Sequence, residues 1–277
     1  MGIKIPVKDR LPTYPGRVTL TPVRGQENTF DMVRADEPLE EGTPLDKKLL
    51  DNKAYTLTES VTVYVNGATG NDETGDGSSE APFATIQRAV NEIPKCLGGF
   101  HAAIDIAAGA YEERVTIDGF YGGRFTLGVA DRSVTVRGIS VLTSSIVRVN
   151  ISNITVNTND DSTLFYVGAG STVLILSPIT LDGVGHSKNG ISVEQNSILA
   201  AIGSVVTVNN CVTNGVVALS GGKITFGTIA GTGNGTGIRA DAGTSISYVS
   251  RTITGATGQV AVGGGRIYSG AQTNIPS

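Results

Sequence analysis

The sequence predicts a mainly β protein whose strands coil into a parallel β-solenoid. Three observations point to this fold class: similar strand blocks recur, apolar residues alternate within each block, and glycines fall where the coil must turn. The blocks that begin at Leu164, Ile191, Val216, Ile238 and Val260 align with successive offsets of 27, 25, 22 and 22 residues. A drifting period in the twenties is typical of a solenoid in which each coil stacks on the one before it.

Alternation within the blocks, as in residues 216–219 and 246–249, needs only one apolar face per strand. Sharp corners favour residues that tolerate positive φ. We assign these corners to Gly221, Gly222, Gly231, Gly233, Gly235, Gly237, Gly243, Gly263, Gly264 and Gly265. The alternative all-β fold is an antiparallel sandwich, but its turns come about every 8–12 residues without block similarity.

Composition narrows the function classes. The 277 residues carry a net charge of −4 with a pI near 5.3, which argues against nucleic-acid binding. No stretch suggests a signal peptide or a membrane-spanning helix, so we expect synthesis in a reducing cytoplasm and no membrane insertion. Cys96 and Cys211 lie too far apart to suggest a disulfide framework or a CxxC metal site, and we expect two buried thiols.

A shift in charge separates the start of the chain from the rest. Residues 1–58 hold nine basic and nine acidic side chains, whereas residues 146–277 hold eleven charges in all. We therefore divide the chain into an attachment segment (1–58), a solenoid entrance (59–145) and the later coils (146–277). The first segment reads as mostly extended, with strands at residues 18–23 and 30–33 and a short helix over residues 43–50. It is too small to hold a core alone, so we expect its apolar side to dock on a partner.

The entrance segment predicts a strand on Val61, Val63 and Val65, then an amphipathic helix over residues 83–93. Pro82 would lie in the first turn of that helix, and Pro94 would end it. Strands are expected at residues 104–106 and 115–117, with a corner at 109–111 between them. Further short strands are expected at residues 125–129, 134–139, 146–151 and 154–156.

Two resemblances follow from these residues. Residues 14–54, and above all the motif EGTPLDKKLL at positions 41–50, resemble the N-terminal segment common in tail and baseplate-associated structural proteins of bacteriophages and prophages. Residues 61–117 resemble the capped entrance of pectate-lyase-like right-handed β-helices, in which a helix covers the open end of the first coil. Capping matters because an uncovered end exposes both the core and the strand edges.

Candidate catalytic residues are sparse. Asp160 and Asp161, the Gly-His-Ser around His186, and Arg239 are similar to motifs on successive coils of polygalacturonases, where two carboxylates act as general acid and base. Here only one carboxylate cluster is present, and Ala240 stands where that family has lysine. We therefore assign no catalytic residue and keep Asp160, Asp161, His186 and Arg239 as a weak alternative.

No metal site or cofactor is predicted. Residues 72–77 begin like a calcium loop, but Thr74 at the third position and Phe83 at the twelfth do not fit one. His101 reads as a strand-end residue. Glu112, Glu113 and Arg114 read as exposed charges on a corner.

The resemblances imply a structural, non-enzymatic virion component, a tail or baseplate spike or fibre. Residues 1–58 would anchor it to other virion proteins, and the right-handed β-helix would project as a rigid appendage, as a homotrimer, with possible contact to a host surface glycan. Three alternatives stay open: a polysaccharide depolymerase of the pectinase-like superfamily, a head or neck fibre, and a sugar-binding adhesin.

Overall fold

The computed structural model describes residues 11–12, 18–22, 30–34, 38–40, 56–128, 132–144, 146–151, 153–155, 162–184 and 188–270. The chain divides into two compact units, of which the smaller comprises residues 3–54 and the larger extends from Tyr55 to the C-terminus.

The described residues of the smaller unit form two antiparallel strand pairs. Strand β1 (Leu11–Pro12) pairs with β4 (Pro38–Glu40), and β2 (Val18–Pro22) pairs with β3 (Phe30–Arg34). The strands expected at residues 18–23 and 30–33 are confirmed. The helix expected over residues 43–50 lies outside the described residues.

One face of the β2–β3 pair carries apolar side chains that are open to solvent. In the register of the two strands Leu20 is opposite residue 32 and Phe30 is opposite residue 22, so Leu20 and Phe30 are diagonal neighbours on the same side of the pair. Leu20 is 55% exposed and Phe30 is 52% exposed. Two large apolar side chains therefore stand next to each other in water on this unit.

The larger unit is a right-handed parallel β-helix, as predicted. Its elements in chain order are β5 (Val61–Val65), α1 (Ile86–Glu92), β6 (His101–Ile106), β7 (Gly109–Asp118), β8 (Arg124–Leu127), β9 (Val134–Leu142), β10 (Val147–Val149), β11 (Asn153–Thr155), β12 (Phe165–Val167), β13 (Thr172–Ile175), β14 (Ile179–Asp182), β15 (Asn189–Val193), β16 (Ile198–Asn209), β17 (Asn214–Ala218), β18 (Lys223–Ala230), β19 (Asn234–Ala240), β20 (Ser245–Arg251), β21 (Gly255–Ala261) and β22 (Arg266–Ser269).

These strands form three parallel stacks. Stack A contains β5, β6, β8, β10, β13, the first halves of β16, β18 and β20, and then β22. Stack B contains the starts of β7 and β9, then β11, β14 and the second halves of β16, β18 and β20. Stack C contains the ends of β7 and β9, then β12, β15, β17, β19 and β21. Each coil thus passes once through A, B and C.

The register agrees with the predicted repeat in its centre and differs by one residue at each end. Stack C aligns Phe165, Ile191, Val216, Ile238 and Gln259. The alignment of the three middle blocks is confirmed, whereas the first begins one residue later and the last one residue earlier than predicted.

Both shifts have a physical cause. Leu164 and Phe165 are adjacent and both are fully buried, so the apolar pattern alone could not tell which of them begins the strand. In the last coil the inward column is occupied by the polar Gln259, while Val260 pairs with Arg239 on the outer side. The predicted start of this block, Val260, is therefore one residue too late.

The core is a set of apolar columns that run along the solenoid. In stack A, one such column is 2% exposed or less throughout, and it consists of Ala102, Phe125, Val147, Val173, Leu199, Ile224 and Ile246. Each large aliphatic or aromatic side chain buried in this way stabilises the fold by roughly 1.5–3 kcal/mol. Since each residue contacts the same column in the next coil, stability accumulates coil by coil.

Columns of polar side chains accept hydrogen bonds from backbone N–H groups at the corners. The hydroxyl of Ser171 accepts a hydrogen bond from Ser144 N at 3.1 Å, and the hydroxyl of Ser197 accepts one from Ser171 N at 3.2 Å. Elsewhere the side-chain amide of Asn214 donates to Asn189 Oδ1 at 2.8 Å. These buried groups have partners one coil away, so they align the coils without an unsatisfied polar atom.

Six of the predicted glycine corners are confirmed, two are wrong, and Gly222 and Gly265 lie next to turns without a positive φ. Positive φ is found at Gly221, Gly231, Gly233, Gly243, Gly263 and Gly264. Gly235 and Gly237 instead lie inside strand β19. A Cβ on Gly237 would come within 2.5 Å of the carbonyl oxygen of Gly258 in the next coil, so this glycine is needed for close approach of two backbones.

The helix predicted over residues 83–93 begins later than expected. Thr85 is the N-cap and accepts a hydrogen bond from Arg88 N, so Pro82 and Phe83 precede α1. Phe83 is 1% exposed and forms a bridge with Val65 of the first strand. The end of the helix, at Ile93 before Pro94, is confirmed.

The corner predicted at residues 109–111 is also wrong, because these residues open the long strand β7. The chain bends inside that strand instead, where its register with β9 shifts between Tyr111 and Arg114. A bulge of this kind lets one strand pass from stack B to stack C without a glycine turn.

Candidate functional site

The structure describes one of the four residues of the hydrolase alternative. Asp160, Asp161 and His186 lie outside the described residues. Arg239 is in β19 on the outer side of stack C, where its Nε donates to Asp241 Oδ1 at 2.9 Å and its Nη2 donates to Asp241 Oδ2 at 3.3 Å. This bidentate hydrogen bond raises the pKa of Arg239 above its ordinary value. The guanidinium is thus held by a neighbour on its own strand.

The outer side of stack C carries the polar groups nearest to Arg239. Tyr166, Ser192, Val217 and Arg239 lie in register on successive strands. Glu194 and Asp241 follow directly after the register-matched residues of β15 and β19. They therefore share a column two coils apart, which corresponds to roughly 9–10 Å at the usual strand spacing.

Both carboxylates already have local partners. The hydroxyl of Ser192 donates to Glu194 Oε1 at 2.7 Å. Burial, followed by the negative charge of Glu194, raises the pKa of Tyr166, which also bonds to that carboxylate. Asp241 holds Arg239 through both oxygens. A hydrolase of this type needs one protonated acid and one base free to act on the substrate or a water, whereas these groups form short structural networks.

Sequence reasoning missed Glu194 and Asp241 as a matched pair. The signal was present in the aligned blocks, because ISVE at positions 191–194 lies over IRAD at positions 238–241. The acidic residue is the fourth in both blocks.

A second group of polar residues attaches α1 to the first coil. The carboxylate of Glu113 accepts hydrogen bonds from Ile86 N at 2.7 Å and from Gln87 N at 2.8 Å. Asp72 accepts from Ala84 N at 2.8 Å and from the hydroxyl of Thr85 at 2.7 Å. The prediction of an exposed corner charge is therefore wrong for Glu113, and burial raises the pKa of its carboxyl group. The pair fixes the helix over the core.

The neighbouring charges of that segment contact other coils. Glu112 is exposed, as predicted, and forms an ion pair with Arg137 one coil away. Arg114 donates to the carbonyl oxygens of Arg137 and Thr163. These side chains tie neighbouring coils together.

The opposite end of the β-helix is open among the described residues. Strand β21 has no buried residue, and Val262 beyond it is 42% exposed. Ile267 continues the stack A column of Ile246 but is only partly buried, whereas Ile246 is fully buried. The last coil, formed by β21 and β22, therefore presents part of its core to solvent.

The two cysteines occupy different environments. Cys211 is fully buried, and burial raises its pKa to about 12. Cys96 is half-buried, and a hydrogen bond with Thr56 lowers its pKa below the ordinary value. The expectation of two buried thiols is thus wrong for Cys96, which lies where the first coil begins.

Comparison of the chain with protein-family models, with curated proteins and with solved structures finds no match. Within the described ranges, no group of three or more His, Cys, Asp or Glu side chains is placed to hold a metal ion. No helix in the described part of the chain is long and apolar enough to cross a membrane.

Proposed function

We propose that this protein is a structural component of a bacteriophage or related tail particle, in which residues 1–58 attach to the particle and the β-helix projects as a rigid appendage. A homotrimeric tail or baseplate spike or fibre is the form that the sequence resemblance favours. Contact with a host surface glycan would be made along the β-helix.

The observation that carries this proposal is the exposed apolar face of the β2–β3 pair. Leu20 and Phe30, both more than half exposed, lie on one side of a small unit that is separate from the solenoid. Adjacent large apolar side chains in water are typical of a surface that docks on another protein. This agrees with the phage-like motif at positions 41–50 in the same segment.

The design of the larger unit is compatible with an appendage. Its strands pair only with the coils before and after them, so the unit grows in one dimension and stays stiff. The hydrogen-bonded partners of Glu194, Asp241 and Arg239 also favour a structural role for the outer side of stack C over acid–base catalysis. The depolymerase alternative would depend on Asp160, Asp161 and His186.

Immunogold electron microscopy of particles from the source strain tests the proposal, with an antibody raised against residues 59–277. We expect label at the tail end or baseplate. Label on the head or neck would keep the structural class and change its position. Unlabelled particles beside a positive lysate would overturn the proposal and favour a free enzyme.

Anchoring by residues 1–58 has its own test. Leu20→Asp and Phe30→Asp should reduce the amount of protein in purified particles, because a charge on the docking face opposes burial. Thr21→Asp serves as the control, since Thr21 is also exposed but points to the other side of the strand. Equal incorporation of all three variants would argue against this face as the anchor.

A further inference from the structure

The outer side of stack A carries an unusual group of basic residues near the entrance. His101 is in register with Arg124, and Thr126 is in register with Arg148. Arg124 and Arg148 alternate with the buried Phe125 and Val147, so both point away from the core. Diagonal neighbours in a sheet are about 7–8 Å apart, within reach of two arginine side chains.

Among the residues that the structure describes, these two arginines lack the carboxylate partners found for other arginines of the β-helix. Neither the Arg124 nor the Arg148 side chain has a hydrogen bond or an ion pair with a described residue, and the Nε of Arg148 is shielded from solvent without an acceptor. In contrast, acidic partners are found for the arginines at positions 88, 132, 137 and 239. Asp105, the nearby acid on this face, is held by Arg132.

The pKa of His101 reflects the same excess of positive charge. Its Nε2 lies 2.8 Å from the hydroxyl of Thr126. Burial lowers the pKa of His101 below its ordinary value, and the charges of Arg124 and Arg148 lower it further. Like charges held this close repel each other unless an anion lies between them.

The basic pair borders an apolar surface on the same outer face. Ile146, which precedes Val147, lies beside Arg124 and is 43% exposed. Leu174 is in register with Arg148, and Ile198, a diagonal neighbour of Leu174 on the next strand, is 40% exposed. A ligand that carries an oxyanion on a carbon skeleton could therefore use both the guanidinium groups and the aliphatic side chains.

We propose that Arg124, Arg148 and His101 form a binding site for an oxyanion group, phosphate or carboxylate, of an anionic glycan, with the adjacent carbons of the glycan packed on Ile146. Guanidinium groups suit this role because they donate paired hydrogen bonds to planar or tetrahedral oxyanions. The site rests on the geometry of stack A, whereas its assignment to a glycan of a host surface rests on the proposed function.

Titration of the full chain with inorganic phosphate, glycerol 3-phosphate and glucuronate, at constant ionic strength, tests the site. The readout is the NMR signal of the His101 ring, identified with a His101→Gln variant because the chain has 2 histidines. We expect saturable shifts and a rise in the His101 pKa when the anion binds, since a nearby negative charge favours the imidazolium. Glycerol 3-phosphate should bind more tightly than inorganic phosphate.

Matched variants separate a built site from general charge attraction. Arg124→Gln and Arg148→Gln should each weaken binding by about tenfold, whereas Arg239→Gln, which removes an arginine held by Asp241, should leave it unchanged. Ile146→Ser should remove the preference for glycerol 3-phosphate over inorganic phosphate. Circular dichroism and the thermal midpoint establish that each variant keeps the fold.

Each outcome decides the proposal. Equal weakening in all three arginine variants, or shifts that do not saturate, would overturn the site. Tighter binding of glycerol 3-phosphate than of glucuronate would support a phosphate-bearing glycan, and the reverse would support a uronate. Inorganic phosphate binding as tightly as glycerol 3-phosphate would overturn the role of the apolar surface.

The result is independent of the particle experiment. Saturable binding together with unlabelled particles would keep the site and reject the virion role. Labelled particles without saturable binding would keep the virion role and reject the site.

Discussion

The two ends of the β-helix have the same strand geometry but differ in what covers them. At the entrance, Val63 and Val65 of the first strand are buried, and α1 contacts that strand and buries Ile86 and Val90 in the same core. In the last coil, β21 has no buried residue. Coils between the two ends are stacked on both sides.

We infer from this difference that a single solenoid coil does not form a hydrophobic core of its own. A residue in an inward column is buried by the coils above and below it, so the same side chain stabilises the fold strongly in the interior and weakly at an open end. Whatever covers an end must supply both apolar contact and hydrogen bonds. At the entrance, α1 supplies the contact, while Glu113 and Asp72 bond its N-terminus to the rest of the fold.

The largest expected effect is a difference in thiol reactivity between Cys96, at the entrance, and Cys211, in an interior coil. Cys96 should react with iodoacetamide more than about a thousandfold faster than Cys211 at pH 8, because the thiolate is the reactive form and Cys211 has a pKa of about 12 while that of Cys96 is lowered. The variants Cys96→Ser and Cys211→Ser give the two rates separately by mass spectrometry. Comparable rates would mean that the interior coil opens readily.

The next comparison sets the same substitution at both ends. Ile86→Ala should lower the free energy of unfolding by about 2–5 kcal/mol, because it leaves a cavity under the cap. Ile267→Ala in the last coil should cost at most about 1 kcal/mol, since that side chain already contacts water. Urea denaturation followed by circular dichroism gives both values. Equal losses would indicate that the last coil is covered in solution.

A column of glycines allows a similar test on the backbone. Gly237 and Gly258 occupy the same position in successive coils of stack C. Gly237→Ala should lower the free energy of unfolding by about 1–3 kcal/mol, because the new Cβ would lie 2.5 Å from Gly258 O.

Gly258→Ala is the matched control. The nearest atom to its new Cβ is Nη1 of Arg251 at 3.8 Å, so we expect a change below about 0.5 kcal/mol. A cost at Gly258 as large as that at Gly237 would mean that another strand lies over the last coil, and this interpretation can be checked by measuring the oligomeric state of the variant.

The fold could be predicted from sequence because a solenoid repeats one local rule. Alternating apolar residues marked the strands, and the offsets of Ile191, Val216 and Ile238 gave the register in the middle of stack C. The prediction of glycine corners was wrong where one residue type can serve two structural roles. A glycine can serve either a positive φ or a close approach of two backbones, and Gly237 serves the second.

The candidate sites were harder to predict because they join residues one or more coils apart. Glu113 looked like a corner charge, since nothing local indicates that its carboxylate reaches the N-terminus of α1. Whether Arg124 and Arg148 have an acidic partner depends on which acids face them, and among the described residues Asp105 is occupied by Arg132. Contacts of this kind follow from the register of the strands and from side-chain reach, which the apolar pattern does not encode.

The smallest expected effect concerns Arg239. Asp241 pairs with this arginine, whereas Arg124 and Arg148 of stack A have no acidic partner among the described residues. Arg239→Gln should change the free energy of unfolding by less than about 1 kcal/mol, because the Arg239 and Asp241 side chains are 39% and 29% exposed and solvent screens their attraction. A double-mutant cycle with Asp241→Asn measures the coupling between the two side chains, which should shrink further at high salt. A coupling above about 2 kcal/mol that resists salt would show that the outer side of stack C is more deeply shielded than its exposure suggests, and it would give the hydrolase alternative a desolvated cation to build on.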